Sequence, residues 1–183
     1  MQEHERQLII DQLNASRDRI LGVVEGLTPE QWEFRPAAGR WSIAECLEHV
    51  IRVEDRICGM VGKALKEGSP QPEKRLPAAD LREKDAKISQ GVVDRSVTRQ
   101  APEPVRPDGK WQDEGELLAE FRKTRERSAE FVRAMQGDLR SYFQTHGGFG
   151  EIDCYQWLIV MSLHGARHAA QMEEIRASQG FPG

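Results

Sequence analysis

The chain has 183 residues, with 30 acidic and 26 basic side chains and a net charge of −4. That length fits one domain spanning residues 1–183 and excludes a large multidomain enzyme. An apolar share of 38 %, with 16 glycines, is the composition of a globular protein and not of a disordered one. The basic residues form no excess or stripe, so nucleic acid is not an expected partner. The opening MQEHERQLII does not read as a secretory signal, and no apolar run approaches about 18 residues, so no membrane span is expected. Cys46, Cys58 and Cys154 form no CxxC pair, which makes a disulfide framework unexpected and a cytoplasmic location the expected one.

In chain order, the first helix is expected over about Glu3–Glu25, from apolar residues at Leu8, Ile9, Leu13, Ile20, Val24 and Leu27. LTPEQW starts a short helix, with Thr28 as cap and Pro29 at the first helical position. FRPAAGRWS is a turn-rich loop. Ser42 and Glu45 then form a capping box that opens a second long helix, about Ile43–Lys66. From Glu67 to Lys110 periodicity is weak, and Pro70, Pro72, Pro77, Pro102, Pro104 and Pro107 interrupt the chain. A short helix near Ala78–Gln90 is expected there, inside a long crossover or lid. A third long helix follows over about Asp113–Met135, with Leu117, Leu118, Phe121, Ser128, Phe131 and Met135 inward. THGGFGEID is expected as a loop, and a fourth long helix spans about Ile152–Ser178. GVVDRSVTR is the only β-like stretch.

These patterns predict an all-α four-helix bundle. The long crossover between the second and third long helices permits those two to run parallel, in an up-down-down-up order.

The chemistry concentrates on histidine. At about 100° per residue, Trp157, Met161, His164, His168, Gln171, Met172 and Ile175 fall on one face of the last helix. His164 and His168 therefore stack one turn apart in the middle of an apolar stripe, the i, i+4 geometry used by HExxH-type zinc sites but without the Glu of that motif. They are either core groups satisfied by hydrogen bonds or metal ligands. His49 lies at the edge of the apolar arc of the second helix, and the helical wheel alone does not decide its burial. If the two helices are neighbours, three imidazoles converge, which is the donor set of a catalytic metal with open positions. His4 is expected in solvent and His146 in loop packing. Trp32, Trp41 and Trp157 are expected as packing anchors, with Trp157 as a candidate pocket wall. Cys46 is expected as a small buried hydrophobe, with a soft metal ligand as its alternative role.

Three stretches, FRPAAGRWSIAECLEHV, APEPVRPDGKW with ELLAEFRKTRE, and HGGFGEIDCYQWLIVMSLHGARHAAQMEEI, resemble the DinB/YfiT-like superfamily. The combination of WSxxExLEH with a late HxxRHxxQ carries the likeness. The loop departs from the family's frequent His-Pro, reading His146-Gly147-Gly148 instead. The resemblance implies an up-down-down-up bundle that binds a divalent metal, Ni, Zn or Fe, through His49, His164 and His168. It also implies a homodimer and a small-molecule substrate.

Such a site activates water, as in a hydrolase, or the thiolate of a low-molecular-weight thiol, as in a thiol S-transferase. The characterised relatives lean to the second, so a thiol S-transferase-like activity is the expected one. Arg35, Arg40 and Arg167 are candidates to bind the carboxylates of such a thiol. Gln171 and Glu45 are candidates for groups behind the ligands, Glu45 by accepting from the His49 ring. The competing class is a non-enzymatic, dimerising bundle with a structural metal, which would need a fourth ligand such as Cys46 or His146.

Overall fold

The structure is a computed structural model describing residues 1–183. Six helices and one hairpin are present: α1 (Glu3–Val24), α2 (Pro29–Glu33), α3 (Ile43–Glu67), α4 (Ala78–Val93), α5 (Glu114–Ala134), β1 (Phe143–His146), β2 (Gly150–Asp153) and α6 (Cys154–Arg176). Local signals set the helix starts. Thr28 with Gln31, Ser42 with Glu45, and Asp153 with Gln156 each form a reciprocal capping box, and the Asp113 side chain caps α5 by accepting from Glu116 N. No helix is long and apolar enough to cross a membrane.

The four long helices α1, α3, α5 and α6 make the bundle, and side-chain pairs fix their directions. Glu54 meets Arg125, and a Cβ at Gly62 would touch Phe131, so α3 and α5 run parallel. Ser162 Oγ donates to Gln12, and Arg19 to Glu173, so α1 and α6 run parallel. Arg6 donates to the carbonyls at the end of α5 while Arg125 donates to Leu13 O, so α1 and α5 are antiparallel. The order is up-down-down-up. The crossover that this demands contains α4, which lays Ile88 and Val92 against α6.

Two features depart from the sequence reading. THGGFGEID is a β-hairpin and not a loop, with Gln144 opposite Ile152 and Thr145 opposite Glu151. Its turn is closed by His146 Nδ1, which accepts from Gly148 N and Phe149 N, and by Gly150 at φ +69°. The β-like stretch GVVDRSVTR forms no strand; Gly91–Val93 complete α4. Gly91 lets the hairpin pack closely there, since a Cβ would lie 2.8 Å from the Phe149 ring. The remaining irregular ends are gathered by Arg140, which pairs with Glu5, Asp85 and Asp153 and lies over the Tyr155 ring.

The apolar core is split in two. One cluster holds Ile9, Leu13, Ile57, Val61, Leu158 and Met161; the other holds Ile20, Leu47, Val50, Phe121, Met172 and Ile175. Between them every long helix turns polar: Ser16 on α1, Glu54 on α3, Thr124, Arg125 and Ser128 on α5, and Ser162, His164 and His168 on α6. Arg125 Nη2 lies 2.8 Å from Glu54 Oε1, Arg125 Nη1 donates to Leu13 O and Ser16 Oγ, and Ser128 Oγ donates to Glu54 Oε2. Gly165 makes room for this layer, since a Cβ there would stand 2.8 Å from Arg125 Nη2 and 2.9 Å from Ser16 Oγ.

This packing predicts opposite outcomes for two helical glycines. Gly165→Ala overpacks a site whose neighbours are tied by hydrogen bonds and should cost about 1–3 kcal/mol. Gly59→Ala meets nothing within 4 Å and should stabilise α3 by up to about 1 kcal/mol. Urea denaturation of both variants measures the difference.

Candidate functional site

The polar layer of α6 faces α3, and there the three histidines meet. One ring nitrogen from each of His49, His164 and His168 lies within 4.8 Å of the others. The His164 and His168 Nε2 atoms are 3.2 Å apart, and the His49 ring centroid is 4.9 Å from that of His164 and 4.8 Å from that of His168. His49 and His168 are buried, and His164 keeps part of its surface exposed. The ambiguity of His49 on the helical wheel is thereby settled: α3 packs against α6 and turns that edge inward.

Each imidazole is held neutral. Burial lowers the pKa of His49, against the opposing bond to Val105. Burial pushes His164 and His168 well below the ordinary histidine value, and the charge each ring would place on its neighbours adds to the effect. A neutral imidazole presents one lone pair. His49 Nδ1–H donates to the Val105 carbonyl at 2.6 Å, which leaves Nε2 as the lone-pair nitrogen turned to the cluster. The two Nε2 atoms at 3.2 Å can share one proton, while the buried Nδ1 atoms of His164 and His168 have no hydrogen-bond partner in the chain. A cation among the three rings would draw on the inward lone pairs of all three.

Trp41 forms one wall. Its ring stacks on His168 at 6.2 Å and lies 4.8 Å from that of His49. Trp41 and Gln171 also line a cleft of about 300 Å³ together with Arg40, Glu174 and Ile175. Trp157, expected as a pocket wall, is not part of this site. Its ring packs on His146, and its Nε1–H donates to Gln144 O in the hairpin.

The candidates for supporting groups sort differently from expectation. Glu45 does not accept from the His49 ring. Its oxygens serve the Ser42 backbone and a two-pronged pair with Arg35 at 2.9 Å, because the capping box points its side chain back toward the start of α3. The carbonyl of Val105 takes the place predicted for it. Gln171 stands beside His168, with its Oε1 accepting from Arg95 Nη1 at 3.2 Å. Arg167 is committed to the crossover, donating to the carbonyls of Val92, Asp94 and Val97. Of the three arginine candidates, Arg35 is paired with Glu45 and Arg167 is held by carbonyls, whereas Arg40 has neither kind of partner and lines the cleft. Neither Cys46 nor His146 joins the histidines.

Val105 was not legible as a site residue. Val105 acts through its carbonyl, which carries no side-chain signature. Glu48 sits beside His49 in sequence but points to the 108–110 loop and accepts from its backbone.

An up-down-down-up helical bundle with three inward imidazoles at one level defines the class. The profile of the DinB superfamily matches residues 12–172, and the chain belongs to that superfamily. The chain is similar to YuaE of Bacillus subtilis strain 168, at 24 % identity over 163 residues, covering 89 % of this chain and 94 % of that protein. Its fold matches that of YfiT from Bacillus subtilis with a TM-score of 0.65 at 15 % identity, covering 100 % of this chain and 91 % of the other. That protein is described as a probable metal-dependent hydrolase with an unusual four-helix bundle topology. TT2238, described as a four-helix bundle protein, matches with a TM-score of 0.56 at 18 % identity over 92 % of this chain and 98 % of its own.

The lowered imidazole pKa values set a pH dependence. The folded state holds these rings neutral, whereas the unfolded chain protonates them near 6.5. Their contribution is therefore fully present above that value and is lost as pH falls below it. Metal-free protein should lose thermal stability between about pH 7 and pH 5. His168→Gln should flatten that decline, which calorimetry across the range would measure.

Proposed function

We propose that this protein is a metal-dependent enzyme that holds one divalent cation on His49, His164 and His168 and acts on a small-molecule substrate by activating water. The observation that carries the reading is the convergence of three imidazoles with one ring nitrogen of each within 4.8 Å of the others, one of the rings locked by Val105. An ion held there, Zn, Ni or Fe, would supply a Lewis acid that brings the pKa of water toward about 7. The donor set is three and not four, which favours a reactive site over a closed structural one.

The chain's own residues shape the rest. Val105 and the packing of Trp41 hold the rings in place, and the same indole lines the cleft through which a substrate would approach. Arg40 offers a free cation at that cleft. Glu174, its acidic neighbour, is already neutralised by Arg95.

Hydrolysis is favoured over thiol S-transfer because a small thiol with several carboxylates needs several cations. Arg35 and Arg167 are bound elsewhere. The description of YfiT as a probable metal-dependent hydrolase supports the same choice. Thiol S-transfer is the second reading, and Arg40 in the cleft is the observation in its favour.

Elemental mass spectrometry on tag-free protein tests the metal. About one divalent ion per chain is expected, from one three-ligand site, and it should be lost in both His49→Ala and His164→Ala. No ion after reconstitution with Zn or Ni would overturn the proposal. Turnover of an activated ester separates the reactions: release without added thiol supports hydrolysis, and release only with a small thiol supports S-transfer.

A further inference from the structure

Glu48 is 3 % exposed and lies on α3 next to His49, yet it faces away from the histidines. Its carboxylate fills a concave turn of backbone N–H groups. Oε1 accepts from Asp108 N at 3.1 Å and Lys110 N at 3.5 Å, and Oε2 accepts from Gly109 N at 3.1 Å. Arg52, one turn along α3, donates to Oε1 at 2.9 Å and also pairs with Asp108. Gly109 shapes the turn with a φ of +75°, a conformation an L side chain resists. A turn of this kind attracts an anion, and here the anion is supplied by the chain itself.

Three residues before that turn is Val105. Its side chain is buried at 4 % exposure in the apolar core, and its carbonyl receives the His49 Nδ1–H. Pro107 stands between the two, limiting the slack in the connection. α3 thus presents two adjacent residues to one short segment. Glu48 anchors the segment, and the segment holds the ring of His49.

We propose that Glu48 is the positioning residue for His49: by pinning the 108–110 turn it fixes the Val105 carbonyl, and that carbonyl selects the Nδ1–H tautomer and the ring orientation that turn Nε2 into the cluster. The consequence for metal affinity rests on the three-histidine reading; the consequence for the tautomer does not. Glu48 touches neither the cluster nor the cleft, so its effect is transmitted through the backbone. Partners of this kind behind a ligating imidazole change metal affinity by about 10- to 100-fold.

The test uses nitrogen-15 long-range NMR on metal-free protein at alkaline pH, followed by titration with Co²⁺. Wild type should show His49 protonated at Nδ1 alone. Glu48→Gln presents an amide N–H to the backbone donors and should give a mixture of His49 tautomers. Its Co²⁺ affinity should fall about tenfold or more, with an altered visible spectrum. Gly109→Ala disturbs the same turn from the other side and should do the same, which keeps the test sound if Glu48→Gln fails to fold. Glu45→Gln breaks a cap and an ion pair on the same helix and should leave both readouts unchanged. A single Nδ1–H tautomer persisting in Glu48→Gln or in Gly109→Ala would overturn the proposal, whatever the loss of stability. If wild type binds no Co²⁺, the metal reading fails, and the tautomer result still decides the role of Glu48.

Discussion

Glu54 and Arg125 are buried side by side in the middle of the bundle, with exposures of 0 % and 2 %. Desolvating such a pair costs several kcal/mol per ion unless geometry and further hydrogen bonds compensate. The structure around them does so in part, leaving Glu54 Oε1, Arg125 Nε and Arg125 Nη2 with no hydrogen bond beyond the ion pair. Ser16, Ser128 and the Leu13 carbonyl supply partners, Gly165 leaves the space, and the aromatic face of Phe121 lies 5.2 Å from the guanidinium carbon. The layer interrupts the apolar core at one height. His164 and His168 enter the bundle at the same height, each with its Nδ1 buried and without a hydrogen-bond partner. Arg125 also adds its positive field to the groups that keep His164 neutral.

The parallel α3–α5 pairing follows from the same level of the molecule. It needs a connection long enough to return along the bundle, and that crossover then does more than connect. Arg167, between the two α6 histidines in sequence, grips its carbonyls on one side. Glu48 grips its backbone N–H groups on the other. Val105 lies between these anchors. The long irregular segment is thus held against both helices that carry the histidines, and one of its carbonyls becomes part of the site.

Electrostatics divides the site from its surroundings. The arginines near the cluster are mostly consumed: Arg35 by Glu45, Arg95 by Glu174 and Arg167 by carbonyls. Burial raises the thiol of Cys46 far above the ordinary cysteine value and that of Cys58 to about 12, so neither behaves as a thiolate. The three imidazoles and, at the cleft beyond Trp41, the unpaired guanidinium of Arg40 are the groups on which the proposed chemistry draws.

The helices, the caps at Thr28 and Ser42 and the pairing of His164 with His168 were legible in the sequence, because they depend on residues within a few positions of one another. The i, i+4 spacing puts two rings on one face wherever that helix goes, and Ser42 with Glu45 starts α3 in any context that leaves the backbone free. The up-down-down-up order was legible through the length of the crossover. What required the tertiary structure was everything that depends on distant segments meeting. His49 sits at the edge of its apolar arc, and only the packing of α3 on α6 turned it inward. The hairpin escaped notice because β1 alternates no apolar and polar residues; its exposed middle, Gln144 and Thr145, is held by the turn and by Trp157. Glu45 was drawn away from His49 by Arg35, a partner ten residues earlier. The group that replaced it is a backbone carbonyl 56 residues from His49. A carbonyl is the same atom in every residue, so no side-chain pattern announces it, and only the folded chain decides which one arrives.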